Sequence, residues 1–366
     1  MRVVRSLAAT NSTFIGLVIL IIVFGSLNSR FLTSANAENI VLSVTELAIL
    51  TAPLALLVIS GSVDLSVGSI ASVGGVTMGM VMSDTGSLTL GILAGLGFGV
   101  VAGAINGGLV AYAGLNPIVV TLGFLAVWGG IAMYLTEGAT LFEFPGSFES
   151  LGSYRLFGIF PVALLVAVVV IGVSWWILHA SRFGKYLYSI GGNERAAFLM
   201  GVSVKRVRLA MFVAVGLTSA IAGMLLAVKL GAAAPQAGRG VEIQALTVVL
   251  LGGVAFAGGA GRMTGVIAGL LFVGVLQNGL VVVGTSQFLQ QFFIGAALLV
   301  GIAINDSMGR LVRRGPASPG RDLVDVVHDA DTGTAPDGDG QPGPVSRSGE
   351  EGLRSAGQHD YEGSGQ

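Results

Sequence analysis

Cysteine is absent from the 366 residues of this chain, and charged side chains and histidine are scarce. The lack of cysteine excludes disulfides, thiolate metal sites and a cysteine nucleophile. Only 11% of the residues are charged, whereas a water-soluble domain carries about 25%, so a soluble globule is excluded. Of the three histidines, His179 ends an apolar run and His328 and His359 lie near the C-terminus, a pattern that suits neither a metal site nor a catalytic triad. The sequence therefore predicts no catalytic residue, no metal and no cofactor.

Apolar residues dominate instead, at 53% of the chain, and they are gathered into long runs. A helix that crosses the apolar core of a bilayer, which is about 30 Å thick, needs about 20 such residues. Ten runs approach this length, over residues 12–28, 39–60, 66–83, 88–113, 117–136, 158–179, 208–230, 243–260, 263–284 and 288–306. They predict an all-α membrane protein with about ten transmembrane helices.

Charge is distributed unevenly along the chain, and its distribution predicts orientation and domains. Residues up to Arg314 contain 16 Lys and Arg against 10 Asp and Glu, and the residues after it contain 3 against 10. With the N-terminus inside, twelve cations fall on the cytoplasmic side and four on the other, and positive loops stay in the cytoplasm. We expect a transmembrane domain over 1–314 with both ends cytoplasmic, and a disordered acidic cytoplasmic tail over 315–366.

Two of the runs resemble each other. Residues 91–96 are echoed by residues 265–270, and Asn106-Gly107 is echoed by Asn278-Gly279. A helix five positions later crosses the membrane in the opposite direction. The pattern therefore predicts an inverted 5+5 repeat with a substrate path between its halves. Chance similarity between glycine-rich helices is the alternative.

Glycine recurs at every fourth residue in the run over 88–113, at Gly91, Gly95, Gly99, Gly103 and Gly107. Residues four apart lie on one face of a helix, and glycine there lets another backbone approach closely. This stripe predicts tight helix packing rather than contact with a solute.

Polar side chains within the apolar runs are few, and a charge at the bilayer centre costs about 2.5–3.5 kcal/mol, so each needs a partner or a function. Glu46 either faces a wet path or pairs within the bundle. Asp64 and Ser66 open the third run as helix caps, and Asn116 opens the fifth before Pro117. Uncharged residues would suit a neutral, hydroxyl-rich solute better than an ion: Asn106, Thr121, Asn278, Gln290 and Gln291.

The largest basic loop, over 181–208, contains the pattern of a short helix. Asn193 can cap it, Glu194 suits the positive end of the helix dipole, and Gly201 can end it. Such a helix would present the following residues to a partner: Ala196, Ala197, Leu199 and Met200. A helix held on anionic lipid by its cations is the alternative.

This loop resembles the coupling segment of ABC importer permeases, whose Glu-Ala-Ala-x-x-x-Gly pattern occurs here over 194–201 with one extra residue. Over about residues 40–310 the chain is similar to the ribose-type monosaccharide permeases. Six stretches carry that resemblance, at 63–69, 116–123, 191–194, 240–243, 249–253 and 277–280. The resemblance implies ATPase contact at Gly192, Asn193, Glu194, Ala196, Ala197 and Gly201. Candidate path or helix-break residues are Glu46, Asp64, Asn106, Asn116, Thr121, Glu242 and Asn278.

The resemblance also implies partners and a location. Two permeases, identical or paralogous, would form the pore in the cytoplasmic membrane of a prokaryote, with an ATPase subunit and an extracytoplasmic sugar-binding protein. The chain has no Gly-x-x-x-x-Gly-Lys-Ser/Thr phosphate loop, so ATP hydrolysis would take place in the ATPase subunit. Ser60 and Gln244 depart from the family pattern and leave the sugar open, from pentoses and hexoses to small polyols. An ion-coupled secondary transporter using Glu46 and Asp64, and a branched-chain amino-acid permease, are the alternatives.

Overall fold

A computed structural model of the chain describes residues 2–142, 144, 148, 154–156 and 160–313, and these residues are almost entirely helical. The expected acidic tail over 315–366 lies outside them. The helices are α1 (Arg2–Leu27), α2 (Ser34–Ser43), α3 (Thr45–Ile59), α4 (Val67–Thr85), α5 (Leu88–Ala111), α6 (Pro117–Leu135), α7 (Val162–Ala180), α8 (Arg182–Gly192), α9 (Glu194–Leu199), α10 (Val204–Leu230), α11 (Val241–Leu251), α12 (Met263–Val282) and α13 (Gln287–Arg313). Strands β1 (Arg155–Leu156) and β2 (Phe160–Pro161) pair antiparallel.

Each predicted apolar run contains a helix, which confirms an α-helical membrane protein. By length and composition five of the described helices can cross a membrane, namely α5, α6, α7, α10 and α12. Helices α2 and α3 would form a sixth span together, bent by 46°. The expected count of ten therefore exceeds the five or six that the described residues support by this measure.

Two of the predicted runs differ from the helices in them. The run over 39–60 is divided at Val44, whose ψ of 1° departs from the helical value of about −42°. The run over 243–260 is helical only to Leu251, because Gly252 and Gly253 follow and Gly253 has a positive φ of 75°. A chain that enters the left-handed region at glycine leaves the helix there.

Helix α3 lies at the centre of the bundle. Every one of its residues is buried, as expected for a helix that is apolar all round. It packs against α7, α10 and α11. The polar groups near its two ends are therefore enclosed by protein rather than by lipid.

The glycine stripe of α5 packs against α4 and α10, as predicted. A Cβ atom at Gly99 would lie 2.6 Å from the Ala220 Cβ atom, and one at Gly107 would lie 2.7 Å from the Phe212 Cβ atom. A Cβ atom at Gly91 would lie 2.7 Å from the Met78 carbonyl oxygen of α4. Ordinary contacts between carbon atoms measure about 3.5–4.0 Å, so no side chain fits along this face.

Candidate functional site

The loop over 181–208 folds around the short helix that its sequence predicts. The Asn193 Oδ1 atom accepts a hydrogen bond from the Ala196 N–H at 3.0 Å. Gly201 has a φ of 84°, and its N–H donates to the Phe198 carbonyl oxygen at 2.9 Å. The expected cap and the expected end of α9 are thus confirmed, and Gly192 lies half-buried at the end of α8.

Three large apolar side chains at the end of α9 are exposed. Phe198, Leu199 and Met200 are 67%, 77% and 70% accessible. The prediction that Ala197 faces outward is wrong, because Ala197 packs in the main core cluster and is fully buried, while Ala196 is half-buried. Phe198 was missed, although a large aromatic residue in a basic loop is itself a signal of a contact surface.

Glu194 is held by α10. The Arg208 guanidinium donates to both carboxylate oxygens, with Nη2 to Oε2 at 2.7 Å and Nη1 to Oε1 at 3.2 Å. The Arg208 side chain is 14% accessible and that of Glu194 is 54% accessible. This bidentate pair fixes the first turn of α9 on the first turns of α10. A groove of about 620 Å³ beside the pair is lined by Tyr112, Phe198 and Lys205 among others.

The end of α8 contacts two loops that follow buried helices. A Cβ atom at Gly258 would lie 2.8 Å from the Gly61 Cα atom and 3.1 Å from the Gly191 Cα atom. The Ile59 carbonyl oxygen accepts from the Gly259 N–H at 2.8 Å. Tyr188 of α8 donates its hydroxyl to the Gly261 carbonyl oxygen at 2.8 Å, and burial raises the pKa of Tyr188, so the donor proton is retained. The predicted coupling loop is therefore joined to the ends of α3 and α11.

Asp64 and Asn106 meet in one buried network. The Asp64 Oδ1 atom accepts from the Ser66 N–H at 2.8 Å and from the Ser66 hydroxyl at 2.6 Å. The Asn106 amide donates to the Ser66 Oγ atom at 2.8 Å and to the Asp64 Oδ2 atom at 3.3 Å. Asp64 thus accepts from the N–H of Ser66, the N-cap residue of α4, but the Ser66 side chain makes no cap bond to the helix, so the predicted capping by Ser66 is wrong. Among the described residues the Asn106 Oδ1 atom has no partner.

Glu46 pairs within the bundle. Its Oε2 atom lies 3.0 Å from the Lys229 Nζ atom in the last turn of α10, and its side chain is 12% accessible. The sequence left open whether Glu46 faces a wet path or pairs within the bundle, and the structure has the pair. The ion pair borders a cavity of about 670 Å³ that Phe142, Phe144 and Phe148 also line.

Three other predicted path residues bond to the protein. Asn116 caps α6 and accepts from the Ile118 N–H at 2.9 Å. Thr121 donates to the Pro117 carbonyl oxygen at 2.8 Å. The Asn278 Oδ1 atom accepts from the Asn36 amide at 2.9 Å. These bonds satisfy polar groups at helix starts and between helices.

Glu242 lines a second cavity, of about 360 Å³, between α4, α6 and the segment over 231–240. Its Oε1 atom accepts from the Gly240 N–H at 3.1 Å. Other lining residues, which the sequence did not single out, are Ser69, Ser72, Met133, Gln236 and Arg239. A signal existed, because Gln236 and Arg239 are polar residues in a glycine-containing link between two apolar runs.

Comparisons with known proteins agree over most of the chain. Residues 36–302 match the family described as branched-chain amino acid transport system / permease component. The chain is 34% identical to the ribose import permease protein of Bacillus subtilis (strain 168) over 295 residues, which cover 80% of this chain and 91% of that protein. It is 33% identical to the D-allose transport system permease protein of Escherichia coli (strain K12), over 80% of this chain and 90% of that protein.

A third relative is the autoinducer 2 import system permease protein of Enterobacter sp. (strain 638), at 34% identity over 78% of this chain and 88% of that protein. No solved structure matches the chain.

Proposed function

Since the chain belongs to the transport permease family that it matches over residues 36–302, we propose that it carries a monosaccharide or a related small polyol across the membrane as the permease subunit of an ABC importer. The observation that carries this proposal is the similarity to permeases for ribose, allose and autoinducer 2 over about four fifths of the chain. These relatives are transporter subunits and not enzymes. Import of branched-chain amino acids is not favoured, because none of these three relatives is named for such a substrate.

The family implies an ATPase and a substrate-binding protein as partners. We extend this to a complete assembly in which two permeases, identical or paralogous, form the pore and a separate subunit hydrolyses ATP. Ten helices in an inverted 5+5 repeat, with both termini in the cytoplasm, are part of the proposal. So is the division into a permease domain over 1–314 and an acidic cytoplasmic segment over 315–366.

Helix α9 supplies the contact with the ATPase in this proposal. Its exposed Phe198, Leu199 and Met200 form an apolar surface of the kind that marks a protein contact. Gly192, Asn193 and Gly201 set the start and end of the helix, and buried Ala197 fixes it to the core. If α9 were instead held on lipid, the ion pair between Arg208 and Glu194 would have no role in transport.

Movement of α9 would be transmitted by α10. Arg208 in its second turn binds α9, and Lys229 in its last turn binds Glu46 of α3. The helix has 27 residues, which span about 40 Å. ATP-driven closure of the ATPase pair would displace α9 and would therefore tilt α10 as a rigid helix. The segment over 231–240, which lines the second cavity, follows α10 directly.

An ion-coupled mechanism has less support. It requires an acidic side chain that is free to bind a coupling ion. Glu46 is paired with Lys229 at 3.0 Å, and Asp64 already accepts bonds from Ser66 and Asn106. Both candidate acids thus have protein partners.

The test is affinity capture followed by uptake. The tagged permease is purified from gently solubilised membranes, and the proteins that accompany it are identified by mass spectrometry. The same assembly is then placed in liposomes and tested for ATP-dependent uptake of labelled D-ribose, D-allose and leucine. An accompanying ATPase together with sugar uptake supports the proposal.

A Phe198→Ser variant locates the contact, with Phe288→Ser as the control, since Phe288 is also exposed but lies in the first turn of α13. We expect loss of the accompanying ATPase from the first variant only. Leucine uptake without sugar uptake, or sugar uptake driven by a proton gradient without an ATPase, would refute the assignment.

A further inference from the structure

The second cavity lies where two helices begin inside the membrane. The Ser69 hydroxyl of α4 donates to the Leu125 carbonyl oxygen of α6 at 2.8 Å. Leu125 lies eight residues after Pro117, the first residue of α6, and therefore about 12 Å along a 19-residue helix that measures about 28 Å. The first turn of α4 is thus level with the middle of a membrane-spanning helix.

Helix α11 begins at the same level. Gly68 of α4 and Gly238 approach so closely that a Cβ atom on either would overlap the other's carbonyl oxygen. The Gly238 N–H donates to the Ser72 Oγ atom at 3.0 Å. Gly240, with a φ of 86°, turns the chain into α11. That helix has 11 residues, about 16 Å or half of a bilayer core of about 30 Å.

Non-helical backbone at membrane depth is tolerated only where protein covers it or where it lines a wet cavity. The segment over 231–240 meets this condition, since it borders the cavity of about 360 Å³. Sites formed by interrupted helices near the bilayer midplane are where transporters of several folds bind their substrates. The volume lies within the range of about 300–1,000 Å³ found for small-molecule pockets.

The cavity wall retains hydrogen-bonding capacity. Ser69 donates its proton to Leu125, so its oxygen can accept, whereas Ser72 accepts from Gly238, so its proton can be donated. Among the described residues the Gln236 amide reaches only the Met133 sulfur, at 3.7 Å. Arg239 and Glu242 add one charge of each sign, so the lining as a whole favours neither a cation nor an anion.

The two larger cavities differ in this respect. The cavity of about 670 Å³ has its charged groups paired with each other at 3.0 Å. The groove of about 620 Å³ lies beside α9, at the proposed ATPase contact. The cavity between α4, α6 and the segment over 231–240 differs from both, because Ser69, Ser72 and Gln236 in its wall are uncharged and are not paired with one another.

We propose that this cavity is the place at mid-membrane where the transported sugar contacts the permease, with hydrogen bonds from Ser72 and Gln236 and to Ser69 and Glu242. The inference rests on the proposed import of a sugar and adds the residues that touch it. Met133 and the neighbouring apolar wall of α6 cover the sugar's C–H faces. Because the site must release its cargo, few and individually weak hydrogen bonds suit it.

The absence of cysteine from the sequence permits a direct test. Ser72→Cys places a thiol in the cavity wall, and Ser219→Cys places one at a position of α10 that is also buried, at 0% accessible against 5% for Ser72, and that does not line a described cavity. In the reconstituted importer we expect a charged methanethiosulfonate to label the first thiol and not the second. D-Ribose or D-allose should slow that labelling about threefold or more, and leucine should not.

A second variant measures transport. Gln236→Ala removes one hydrogen bond, worth about 0.5–1.5 kcal/mol, and should lower the maximal rate of sugar uptake about two- to tenfold. The sugar concentration for half-maximal uptake should stay the same, because the binding protein sets it. The control is Gln287→Ala, which changes an exposed glutamine at the start of α13 that lines none of the described cavities.

The outcomes separate the two proposals. If the importer takes up a sugar that leaves labelling of Ser72→Cys unchanged, or if that thiol does not react, the cavity is not the sugar site and the proposed function stands. If leucine rather than sugar protects the thiol, the cavity is a substrate site and the proposed function fails. Equal uptake by the Gln236→Ala and Gln287→Ala variants would also overturn the inference.

Discussion

Replacement of Gly99 by alanine tests the packing of α5 on α10. The new Cβ atom would lie 2.6 Å from the Ala220 Cβ atom and 2.7 Å from the Gly216 carbonyl oxygen. Contact between carbon atoms is favourable from about 3.5 Å, so the helices must separate by about 1 Å. A gap of 0.5–1 Å forfeits about a quarter to a half of the dispersion energy of each contact, and the other glycines of the stripe lose contact together.

Overpacking of this kind costs about 1–3 kcal/mol. For a domain of this size we expect the midpoint of thermal denaturation to fall by about 2–10 °C. Fluorescence-detected size-exclusion chromatography of the detergent-solubilised protein after heating measures that midpoint. Helix α10 binds α9 at one end and leads at the other into the segment over 231–240, which lines the second cavity. Uptake should therefore fall as well.

The matched control is Gly97→Ala, two residues away on the same helix. A Cβ atom at Gly97 meets no described atom within 4 Å. Alanine is favoured over glycine in a helix by about 0.8–1.0 kcal/mol, so this variant should melt at the same or a higher temperature. If both variants shift the midpoint equally, or if Gly99→Ala is neutral, the close contact between α5 and α10 is not as described.

Two further predictions concern the ion pairs at the ends of α10. Glu194→Lys puts a second cation beside Arg208, so the ratio of uptake to ATP hydrolysis should fall although the permease still inserts. Adding Arg208→Glu to this variant exchanges the two charges and should restore more than half of the lost ratio. No recovery in the double variant would contradict the pairing. Lys229→Met leaves the nearly buried Glu46 carboxylate alone and should destabilise the protein by about 1–3 kcal/mol, whereas Glu46→Gln leaves a half-exposed Lys229 and should cost less than about 1 kcal/mol. Equal thermal shifts for these two variants would refute the asymmetry.

The sequence predicted the local features well. The glycine stripe of α5, the Asn116 cap of α6 and the Asn193 cap of α9 follow from residues that lie within a few positions of one another. Such features depend on the geometry of one helix and can be derived from its own residues. The family motifs over 63–69 and 191–194 could also be recognised in the sequence, since each is a short contiguous pattern.

The environment of single polar side chains was harder to predict. Glu46 was equally compatible with a wet path and with an ion pair, and its partner Lys229 is 183 residues away in sequence. Ala197 was expected to face a partner because it lies on the short helix of the basic loop, yet it packs into the core. In a helix of six residues, rotation by one position decides which side is covered, and the neighbouring helices set that rotation.

By itself the sequence determined that the chain is helical, that it resides in a membrane and that its basic loop contains a short capped helix. These properties follow from composition, run length and short motifs, because the preference of a segment for lipid or for water is the sum of the preferences of its own residues. Only the tertiary structure decided that Gly68 meets Gly238 and that α4 and α11 begin at one level beside Ser72 and Gln236. A cavity is formed by segments that are remote in the chain, so its position depends on how closely whole helices pack and on where they are interrupted.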